Sequence, residues 1–548
     1  MQPSLTPAQR EHLFATPPFT VAEVVRARAN DRRTGLVFED ETYTYHDMVE
    51  AAARRCQLAL ECRDEGPLHI GVLLDNVPDF AFWLAGAALA GAALIPFNPT
   101  RRGRELRDDI AHMDCQLLVV EDRHAGLLEG LALPLAPERI YNVDRSEYHE
   151  QLDAQVADLP DVQVQPEDPF LYVFTSGSTG KPKACRVGHG RMISNAKLIA
   201  AAHGLTSDDR LYEAMPFFHS SILMSCWASG WTVGARHVMR RKFSASGFLE
   251  DVRRTGSTYF GYVGKPLAYI LATPERPDDS NNPLRSGQGN EGSPLDIQRF
   301  SSRFGCAIRD GYGSTEGAVT IMRTAESPFG SLGRPYSDAT CIVDPETSEV
   351  CATARFDEHG RLCNPDEAIG EIVDRSAGER FEGYYKNPDA EAARLRNGWY
   401  WSGDLGYQDD DGNIYFAGRN GDMIRVDGEN LSTSVIERIM ERDASAVAVA
   451  AYAVPAADVG DDLVVCMQLH PRASFDPTAF LRFLDEQGDL SPKMRPRYVR
   501  VTGEMPLTGS QKLDRRQLRA EGLNTNDALW QKTPKGEYER FEPRPSPS

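Results

Sequence analysis

A run of glycines and hydroxyl-bearing residues follows an apolar segment in the first third of the chain. Residues 175–183 read TSGSTGKPK, directly after the apolar run Phe170–Phe174. Glycines let the backbone turn tightly and present N–H groups to a ligand, while Ser, Thr and Lys add donors and positive charge. Such a loop predicts the binding of a triphosphate. It is not a P-loop, because no Gly-Lys-Ser/Thr opens a helix there, and alone it fixes no reaction.

Five more segments carry residues that could act on a phosphate ester. They are Met215–His219, Gly311–Gly317, Ser402–Asp404, Gly418–Asp422 and Pro506–Lys512. With the loop, and in this order, they resemble the motifs of the acyl-adenylate-forming superfamily, which includes acyl-CoA synthetases, peptide-synthetase adenylation domains and luciferases. The resemblance implies an ATP-dependent enzyme that uses Mg²⁺, converts a carboxylic acid to its acyl adenylate and then transfers the acyl group to coenzyme A.

The resemblance also implies roles for particular side chains. A carboxylate that attacks a phosphate must overcome the repulsion between two anions, so positive charge is needed at the forming bond. Lys512 is expected to supply that charge, Thr315 to hydrogen-bond the α-phosphate, and His219 to act as a gate beside the carboxylate and not as a general base. Glu316 is expected to hold Mg²⁺, a hard cation suited to carboxylate oxygens.

The nucleotide is expected to contact the loop, two later glycine-containing segments and the Ser-Gly-Asp motif. Tyr312 offers a flat face to adenine, and Asp404 and Arg419 can reach the ribose. A packing tyrosine and a surface ion pair are the alternatives for these residues. The expected nucleotide contacts are Thr175, Ser176, Gly177, Ser178, Thr179, Gly180, Lys183, Gly289, Asn290, Asp310, Gly311, Tyr312, Gly313, Ser314, Thr315, Asp404, Arg419 and Lys512.

Two further sets of residues follow from the resemblance. The pantetheine arm of coenzyme A is expected to pass Arg425, Gly428, Glu429 and Asn430. The acyl pocket is expected to be lined by Trp227, Gly261, Tyr262, Val263, Gly264 and Gly287, although apolar residues of an α/β domain are often simply core.

Several segments resemble one branch of the superfamily, the very-long-chain acyl-CoA synthetases and fatty-acid-transport proteins. They are Arg241–Ser246, Phe300–Phe304, Gly428–Thr433, Leu518–Leu523 and Lys535–Tyr538. The branch implies a long- or very-long-chain fatty-acid–CoA ligase, and a steroid side-chain acid also fits. The alternatives are an adenylating enzyme that loads a separate carrier protein and a lipid-binding or transport component without catalysis.

Three residues depart from the patterns of these relatives. Glu291 stands where the branch usually has a second glycine, and it adds a carboxylate near the expected adenine or acyl pocket. Gln511 precedes Lys512 where most of the superfamily has glycine. Gly421 occupies the hinge position, where glycine permits wide changes in φ and ψ. We therefore expect facile rotation of the C-terminal part between an adenylating pose and a thioester-forming pose.

Composition limits the function classes further. The chain has 548 residues and a formal net charge of −20, so at least two domains are expected and a basic surface for nucleic acid is not. The ten cysteines form no CxxC pair and accompany no His cluster, which indicates neither a zinc site nor a disulfide framework. These features predict a cytoplasmic enzyme whose partners are the acid and coenzyme A, with a homodimer left open.

Alternating strand-like and helical patterns in the sequence predict the elements that position these residues. They predict an α/β fold with a large N-terminal domain of parallel α/β subdomains plus a small β-rich subdomain over residues 330–416. A mobile α+β C-terminal domain is expected to carry the lysine. The predicted boundaries are 1–420 for the AMP-binding domain and 421–548 for the C-terminal domain, whose polar, Pro-rich tail after Asn524 is expected to fray.

One apolar stretch imitates a membrane span. Phe80–Ile95 is uncharged but has only 16 residues, fewer than the roughly 20 that a bilayer requires. A buried, closely packed core helix is the favoured interpretation, and a membrane-associated element is the alternative. No transmembrane segment is predicted, while peripheral contact with a membrane is left open.

Overall fold

The computed structural model describes residues 7–175, 183–324, 326–376, 378, 380–419, 423–426, 429–456, 461–509 and 511–542. The helices in chain order are α1 (Pro7–Ala15), α2 (Val21–Arg26), α3 (Tyr45–Glu61), α4 (Pro78–Ala90), α5 (Gly103–His112), α6 (Asp122–Ala125), α7 (Ser146–Asp153), α8 (His189–His203), α9 (Ser220–Ile222), α10 (Ser229–Val233), α11 (Phe248–Thr255), α12 (Pro266–Leu271), α13 (Pro294–Phe304), α14 (Pro365–Ala368), α15 (Pro388–Arg394), α16 (Thr433–Met440), α17 (Pro477–Glu486) and α18 (Arg515–Glu521).

The strands alternate with these helices through the N-terminal half and cluster after it. In chain order they are β1 (Thr34–Phe38), β2 (Glu41–Thr44), β3 (His69–Leu73), β4 (Ala93–Pro96), β5 (Leu117–Val120), β6 (Ile140–Asn142), β7 (Pro169–Thr175), β8 (Lys183–Gly188), β9 (Arg210–Glu213), β10 (Arg236–Met239), β11 (Tyr259–Val263), β12 (Ser286–Asn290), β13 (Ala307–Gly313), β14 (Thr320–Met322), β15 (Arg334–Pro335), β16 (Thr340–Val343), β17 (Gly370–Asp374), β18 (Leu395–Arg396), β19 (Trp399–Gln408), β20 (Ile414–Arg419), β21 (Met423–Val426), β22 (Glu429–Ser432), β23 (Ala446–Pro455), β24 (Asp461–Leu469), β25 (Tyr498–Thr502), β26 (Ala528–Lys532) and β27 (Tyr538–Phe541).

Two large sheets form the N-terminal part. One has the order β15-β14-β13-β12-β11-β9-β10-β1-β2, and the other has the order β6-β5-β3-β4-β7-β8. Most neighbouring strands are parallel, with antiparallel pairs at the sheet edges. Buried side chains of both sheets and of α3, α4 and α8 share a hydrophobic core. This arrangement confirms the parallel α/β architecture that the sequence predicts.

A smaller sheet and a separate C-terminal sheet complete the fold. β16, β17, β19 and β18 pair in that order, and β20 pairs with β19. The C-terminal sheet has the order β23-β24-β25-β26-β27 and forms its own core with α16 and α17. These sheets confirm the predicted β-rich subdomain and the α+β C-terminal part, whereas the predicted boundary at residues 420 and 421 lies outside the described residues.

The apolar stretch Phe80–Ile95 is a helix followed by a strand and not a single helix. α4 ends at Ala90, Gly91 adopts the left-handed conformation with φ 62°, and β4 follows. Gly91 satisfies the end of the helix as a left-handed glycine commonly does. A Cβ on Gly86 would lie 2.9 Å from the carbonyl oxygen of Ala52, so the small residues of α4 permit close packing on α3. Within the described residues, no helix combines the length and the apolar character needed to cross a bilayer.

The C-terminal tail was predicted to fray after Asn524, and this prediction was wrong for residues up to Glu542. β26 and β27 extend the C-terminal sheet, and Leu529 and Tyr538 are buried. Tyr538 and Trp530 pack into the core of the C-terminal part, a contribution that the Pro-rich composition of the last residues obscured. Residues 543–548 lie outside the described part of the chain.

Candidate active site

The carboxyl ends of three adjacent parallel strands form one edge of the candidate site. β11, β12 and β13 pair in register, with Val263 opposite Asn290 and Gly289 opposite Asp310. Parallel strands end together at one sheet edge, which is where open α/β sheets commonly bind ligands. The segments predicted to contact adenine and the acyl group therefore converge at this edge.

Asn290 links the elements around this edge. Its Nδ2 donates to the Gly311 carbonyl oxygen at 2.6 Å, and its Oδ1 accepts from Ser221 Oγ at 2.7 Å. The Ser220 and Thr315 hydroxyls lie 3.0 Å apart. Side-chain hydrogen bonds thus hold α9, the end of β12 and the loop after β13 together, with the Thr315 hydroxyl among them.

Asp310 is a half-buried carboxylate on β13, beside the end of β12. The Tyr262 hydroxyl donates to its Oδ2 at 2.6 Å, and the backbone N–H of Gly292 donates to the same oxygen at 2.9 Å. Burial raises the pKa of Asp310 to about 7; the negative charge of Glu291 adds to the shift, while the two hydrogen bonds and Arg323 oppose it. This carboxyl group therefore changes its protonation near neutral pH.

Tyr312 and Asp404 meet, although they lie 92 positions apart in the chain. The Tyr312 hydroxyl donates to Asp404 Oδ2 at 2.5 Å, and burial together with this carboxylate raises the pKa of Tyr312. The Ser402 hydroxyl accepts from the Asp404 N–H at 3.1 Å. Asp404 also stands opposite Arg419 in the ladder between β19 and β20, so the structure brings three of the predicted nucleotide residues to one place.

Glu316 lies in a polar pocket beside the end of the glycine-rich loop. Its carboxylate is 6% exposed and accepts from the Tyr384 hydroxyl at 2.7 Å. The Lys183 ammonium lies 5.4 Å from the centre of the Tyr384 ring. Burial lowers the pKa of Lys183, and the nearby Arg394 guanidinium lowers it further.

Tyr384 and Arg394, which lie around Glu316, were not predicted from the sequence. Burial lowers the pKa of Arg394, but Tyr400, Tyr384 and Glu316 more than offset this and raise it overall. A Cβ on Gly403 would meet the Arg394 guanidinium, which places this cation against the Ser-Gly-Asp motif. Neither residue belongs to a motif recognisable from type and spacing, and only the helix start Asn387-Pro388 signalled an ordered segment nearby.

Lys512 enters the site from the C-terminal part of the chain. Its N–H donates to the Thr508 hydroxyl at 3.2 Å, and the Thr508 N–H donates to the Lys512 carbonyl oxygen at 2.7 Å. These bonds fold the lysine loop back on itself, with Gln511 in the left-handed region at φ 64°. At the tip, Lys512 Nζ donates to Glu291 Oε1 at 2.6 Å.

Two glycines allow the lysine loop to approach the N-terminal part closely. A Cβ on Gly264 would lie 2.3 Å from the Gln511 carbonyl oxygen. A Cβ on Gly509 would lie 2.7 Å from Asn98 Oδ1. Gly264, predicted to line the acyl pocket, therefore contacts the lysine loop directly.

His219 shares this part of the site with the lysine. Burial and, to a smaller extent, the Lys512 ammonium lower the pKa of His219 to about 3, while the Glu291 carboxylate opposes the change. Within the described part of the chain, its buried Nδ1 has no hydrogen-bond partner. The ring is therefore neutral at physiological pH.

The residues expected to line an acyl pocket fall into separate groups. A Cβ on Gly261 would lie 2.6 Å from Cys226 Sγ and 3.0 Å from Ile222 Cδ1, so the absence of a side chain lets this segment pack closely on β11. Tyr262 projects from the other face of β11, where its hydroxyl contacts Asp310 and its ring lies against Gly289. The Tyr262 side chain and the close contact at Gly261 therefore lie on opposite faces of the strand.

Trp227 and Gly287 also lie in cores. Trp227 is 1% exposed and stacks on Phe170 with ring centres 6.0 Å apart. A Cβ on Gly287 would lie 2.5 Å from the Phe260 ring, on the face of the sheet that Tyr262 occupies. Val263 belongs to the core on the opposite face.

The segment that packs on Gly261 contains an unusual helical turn. Leu223–Ala228 forms a π-helix between α9 and α10. The Ser225 carbonyl oxygen accepts from the Tyr259 hydroxyl at 3.0 Å, and the Met224 carbonyl oxygen accepts from the Ser229 hydroxyl at 2.9 Å. Side chains thus satisfy carbonyl groups of this turn, a kind of turn that is frequent at functional sites.

Some predicted site residues lie outside the described part of the structure. They are Ser176, Gly177, Ser178, Thr179, Gly180 and Gly428. For Arg419, Arg425, Glu429 and Asn430 the backbone is described: Arg419 ends β20, and the other three lie in the hairpin of β21 and β22. Thr175 ends β7 and Lys183 begins β8, so both flank the glycine-rich loop.

Among the described residues, one trio could hold a metal by the spacing of its ligand atoms: Asp75, Glu121 and His124. Arg241 donates to Glu121 at 2.5 Å, and both Arg241 and Arg123 pair with Asp75. These arginines supply the positive charge that a cation would bring. The trio is therefore interpreted as an ion-pair network.

Comparison with known proteins identifies relatives over nearly the whole chain. The family described as AMP-binding enzyme matches residues 24–385. The chain is 46% identical to the steroid-22-oyl-CoA synthetase of Rhodococcus jostii over 525 residues, covering 95% of each protein. It is 43% identical to the medium/long-chain-fatty-acid–CoA ligase FadD17 of Mycobacterium tuberculosis, covering 93% of this chain and 98% of that protein.

A solved structure shares the fold. The anthranilate CoA ligase AuaEII, crystallised with anthranoyl-AMP, superposes with a TM-score of 0.81 at 21% identity, over 92% of this chain and 98% of that one. At this identity the likeness concerns the fold, and it extends from the N-terminal sheets to the C-terminal sheet.

Proposed function

Because this chain belongs to the AMP-binding enzyme family, we propose that the acid it activates is a bulky, lipid-like carboxylic acid. The chain is an AMP-forming acyl-CoA ligase, like the relatives to which it is 46% and 43% identical. Those relatives are named for a steroid-22-oyl and a medium- or long-chain fatty acyl product. A fatty acid or a steroid side-chain acid is therefore the proposed substrate.

The approach of Lys512 to the sheet edge of Asn290 and Thr315 is the observation that supports formation of an acyl adenylate at this site. In the first half-reaction a carboxylate oxygen of the acid attacks the α-phosphorus of ATP. The new C(O)–O–P bond forms while the bond to the β-phosphate oxygen breaks, and pyrophosphate leaves. The Lys512 ammonium, held within 2.6 Å of a carboxylate oxygen of Glu291, can offset the charge that accumulates at this bond.

The remaining nucleotide residues have proposed roles that match their contacts. The Thr315 hydroxyl would hydrogen-bond the α-phosphate, and Tyr312 would stack on adenine with its hydroxyl fixed by Asp404. Asp404 and Arg419, opposite each other in the ladder, would bind the ribose hydroxyls. Asp310, on β13 beside β12, would fix the loop that follows β12 and is expected to face adenine.

Magnesium has a fitting ligand in Glu316. The carboxylate is nearly buried and its Oε1 has a neutral donor, Tyr384, so it offers hard oxygen atoms of the kind that Mg²⁺ prefers. The ion would neutralise phosphate charge there. Lys183 and Arg394 add positive charge beside the same carboxylate.

In the second half-reaction the thiol of coenzyme A would attack the acyl carbonyl carbon. The carbon–sulfur bond forms, AMP leaves with the carboxylate-derived oxygen, and the thiol proton passes to water. We propose that the part from residue 421 onward rotates for this step, so that the hairpin of β21 and β22 lines the pantetheine channel. The neutral ring of His219 would then serve as a gate.

A panel of acids tests the substrate class. Purified full-length protein is assayed for AMP release with ATP, Mg²⁺ and coenzyme A, using fatty acids of increasing length, steroid side-chain acids and small aromatic acids. We expect turnover of the lipid-like acids in preference to the small ones. Acyl transfer only to a holo-carrier protein, or no acid-dependent ATP–pyrophosphate exchange with any acid, would contradict the proposal.

A further inference from the structure

Glu291 binds the Lys512 ammonium, and its backbone has an unusual conformation. Its φ is 67°, in the left-handed region that favours glycine. A strained residue of this kind persists only where the surrounding structure maintains it, and such residues cluster at functional sites. The backbone therefore holds a carboxylate at a position where glycine would be less strained.

The ion pair of Glu291 and Lys512 joins the N-terminal and C-terminal parts of the chain. Glu291 follows β12 in the N-terminal part, and its Oε1 accepts from Nζ of Lys512 at 2.6 Å. The two side chains act on His219 with opposite sign, so all three share one site. The Glu291 carboxylate is thus bound to the Lys512 ammonium, at the place where the carboxylate of the acid substrate is proposed to bind.

Exposure of the pair allows it to exchange partners. The Glu291 side chain is 47% exposed and the Lys512 side chain is 31% exposed. Ion pairs that water reaches in this way are weak. Glu291 can therefore turn into solvent without leaving a buried charge, while Lys512 takes another anion.

We propose that Glu291 is a resident carboxylate that occupies Lys512 until the carboxylate of the acid substrate replaces it. The inference rests on the proposed function and deepens it. Glu291 is then a positioning residue, which acts on the reaction through the Lys512 ammonium. It is also a competitor, which reduces the fraction of enzyme ready for the acid and so raises the apparent KM by one factor for every acid.

The test separates KM from the maximal rate. Acid-dependent ATP–pyrophosphate exchange is measured for wild type, Glu291→Gln and the control Glu250→Gln, whose carboxylate lies on the exposed surface of α11. Gln retains the size of Glu and removes its charge. We expect the KM of Glu291→Gln to fall about three-fold for acids of every length, the scale of losing a partly exposed ion pair, with the maximal rate changed less than about two-fold.

A second variant and a second half-reaction complete the test. Glu291→Gly relieves the left-handed backbone and should lower the KM equally, which decides the matter if the Gln variant folds poorly. Thioester formation from supplied acyl adenylate should be unchanged in both variants. An unchanged KM, or a lower maximal rate at unchanged KM, would overturn the inference, whereas wild-type protein without any exchange activity would instead overturn the proposed function.

Discussion

Lys265 Nζ donates to Glu441 Oε1 at 2.5 Å and thereby joins the start of α12 to the end of α16. The pair is nearly buried, with side-chain exposures of 12% and 14%. Asp296 lies close enough for the Glu441 charge to act on it: burial raises the pKa of Asp296 to about 6, and Glu441 contributes to the shift. Lys265 therefore interacts with two carboxylates, Glu441 in the C-terminal part of the chain and Asp296 in the N-terminal part.

Removing the C-terminal member of this pair should weaken the docked arrangement. In Glu441→Gln the buried Lys265 loses its hydrogen-bonded carboxylate, and breaking a buried pair costs about 3–5 kcal/mol before any exchange of partners. We expect adenylation to slow several-fold while thioester formation from supplied acyl adenylate is retained. Rapid-quench measurement of both half-reactions checks this, with Glu486→Gln, at an exposed position of α17, as control. Equal slowing of both half-reactions would contradict it.

Lys512 should matter for one half-reaction only. Lys512→Ala removes the ammonium at the forming acyl–phosphate bond, so adenylation should fall at least about 100-fold, the scale of losing one transition-state charge contact. Thioester formation from supplied acyl adenylate should survive, because the lysine leaves the site in the proposed second pose. Pyrophosphate exchange and single-turnover thioester assays separate the two steps. Lys535→Ala, on the exposed surface of the same domain, is the control, and equal loss in both steps would refute the role.

Gly264 offers a steric test of the docked lysine loop. Gly264→Ala places a Cβ 2.3 Å from the Gln511 carbonyl oxygen and also strains a backbone with φ 76°. Gly305→Ala imposes similar strain, with φ 66°, but its Cβ would meet nothing within 4 Å. We expect the first variant to lose adenylation at least about ten-fold, since misplacing a catalytic group by about 1 Å costs this much or more. The Gly305 variant should keep its rate, and matching losses in the two would exclude a specific contact.

Asp310 should make stability depend on pH. Its pKa is raised to about 7 by burial, so the folded protein retains a proton that the unfolded chain has lost above about pH 4. Stability from this group is therefore full below about pH 4 and is lost as pH rises through about 7. In Asp310→Asn an amide oxygen can accept the same two hydrogen bonds without titrating.

The free energy of unfolding of Asp310→Asn should consequently increase relative to that of wild type as pH rises. We expect no advantage at about pH 4 and an advantage on the order of 4 kcal/mol at about pH 8, because the pKa is raised by about three units and one unit corresponds to about 1.4 kcal/mol. Urea unfolding followed at several pH values measures the difference, with the exposed Asp410→Asn as control. A difference that stays constant over this range would contradict a raised pKa at Asp310.

The parallel architecture followed from the sequence because apolar strands alternate with helical segments in clear order. The apolar run Phe170–Phe174 lies in strand β7, and Thr315, Tyr312 and Asp404 were chosen from motifs whose residue types are tied to their chemistry. Tyr384 and Arg394 escaped notice for the opposite reason. They reach Glu316 only through tertiary packing, which no local pattern encodes.

Contacts between distant segments explain the other differences. No local pattern predicts that Glu291 meets Lys512, since the two lie 221 positions apart in the chain. Gly264 was assigned to the acyl pocket by resemblance to relatives, whereas the approach of Gln511 shows that its missing side chain admits the lysine loop. The side chain of Tyr262 points to Asp310 because successive residues of a strand face opposite sides of the sheet.

The π-helical turn Leu223–Ala228 affects how the residues that pack on Gly261 can vary among proteins. A π turn contains about one residue more than the α-helical turn it replaces. A single-residue insertion or deletion there can therefore be absorbed within the turn while α10 keeps its place. Two proteins that differ by such a residue would present different side chains to Gly261, even where an alignment pairs identical letters.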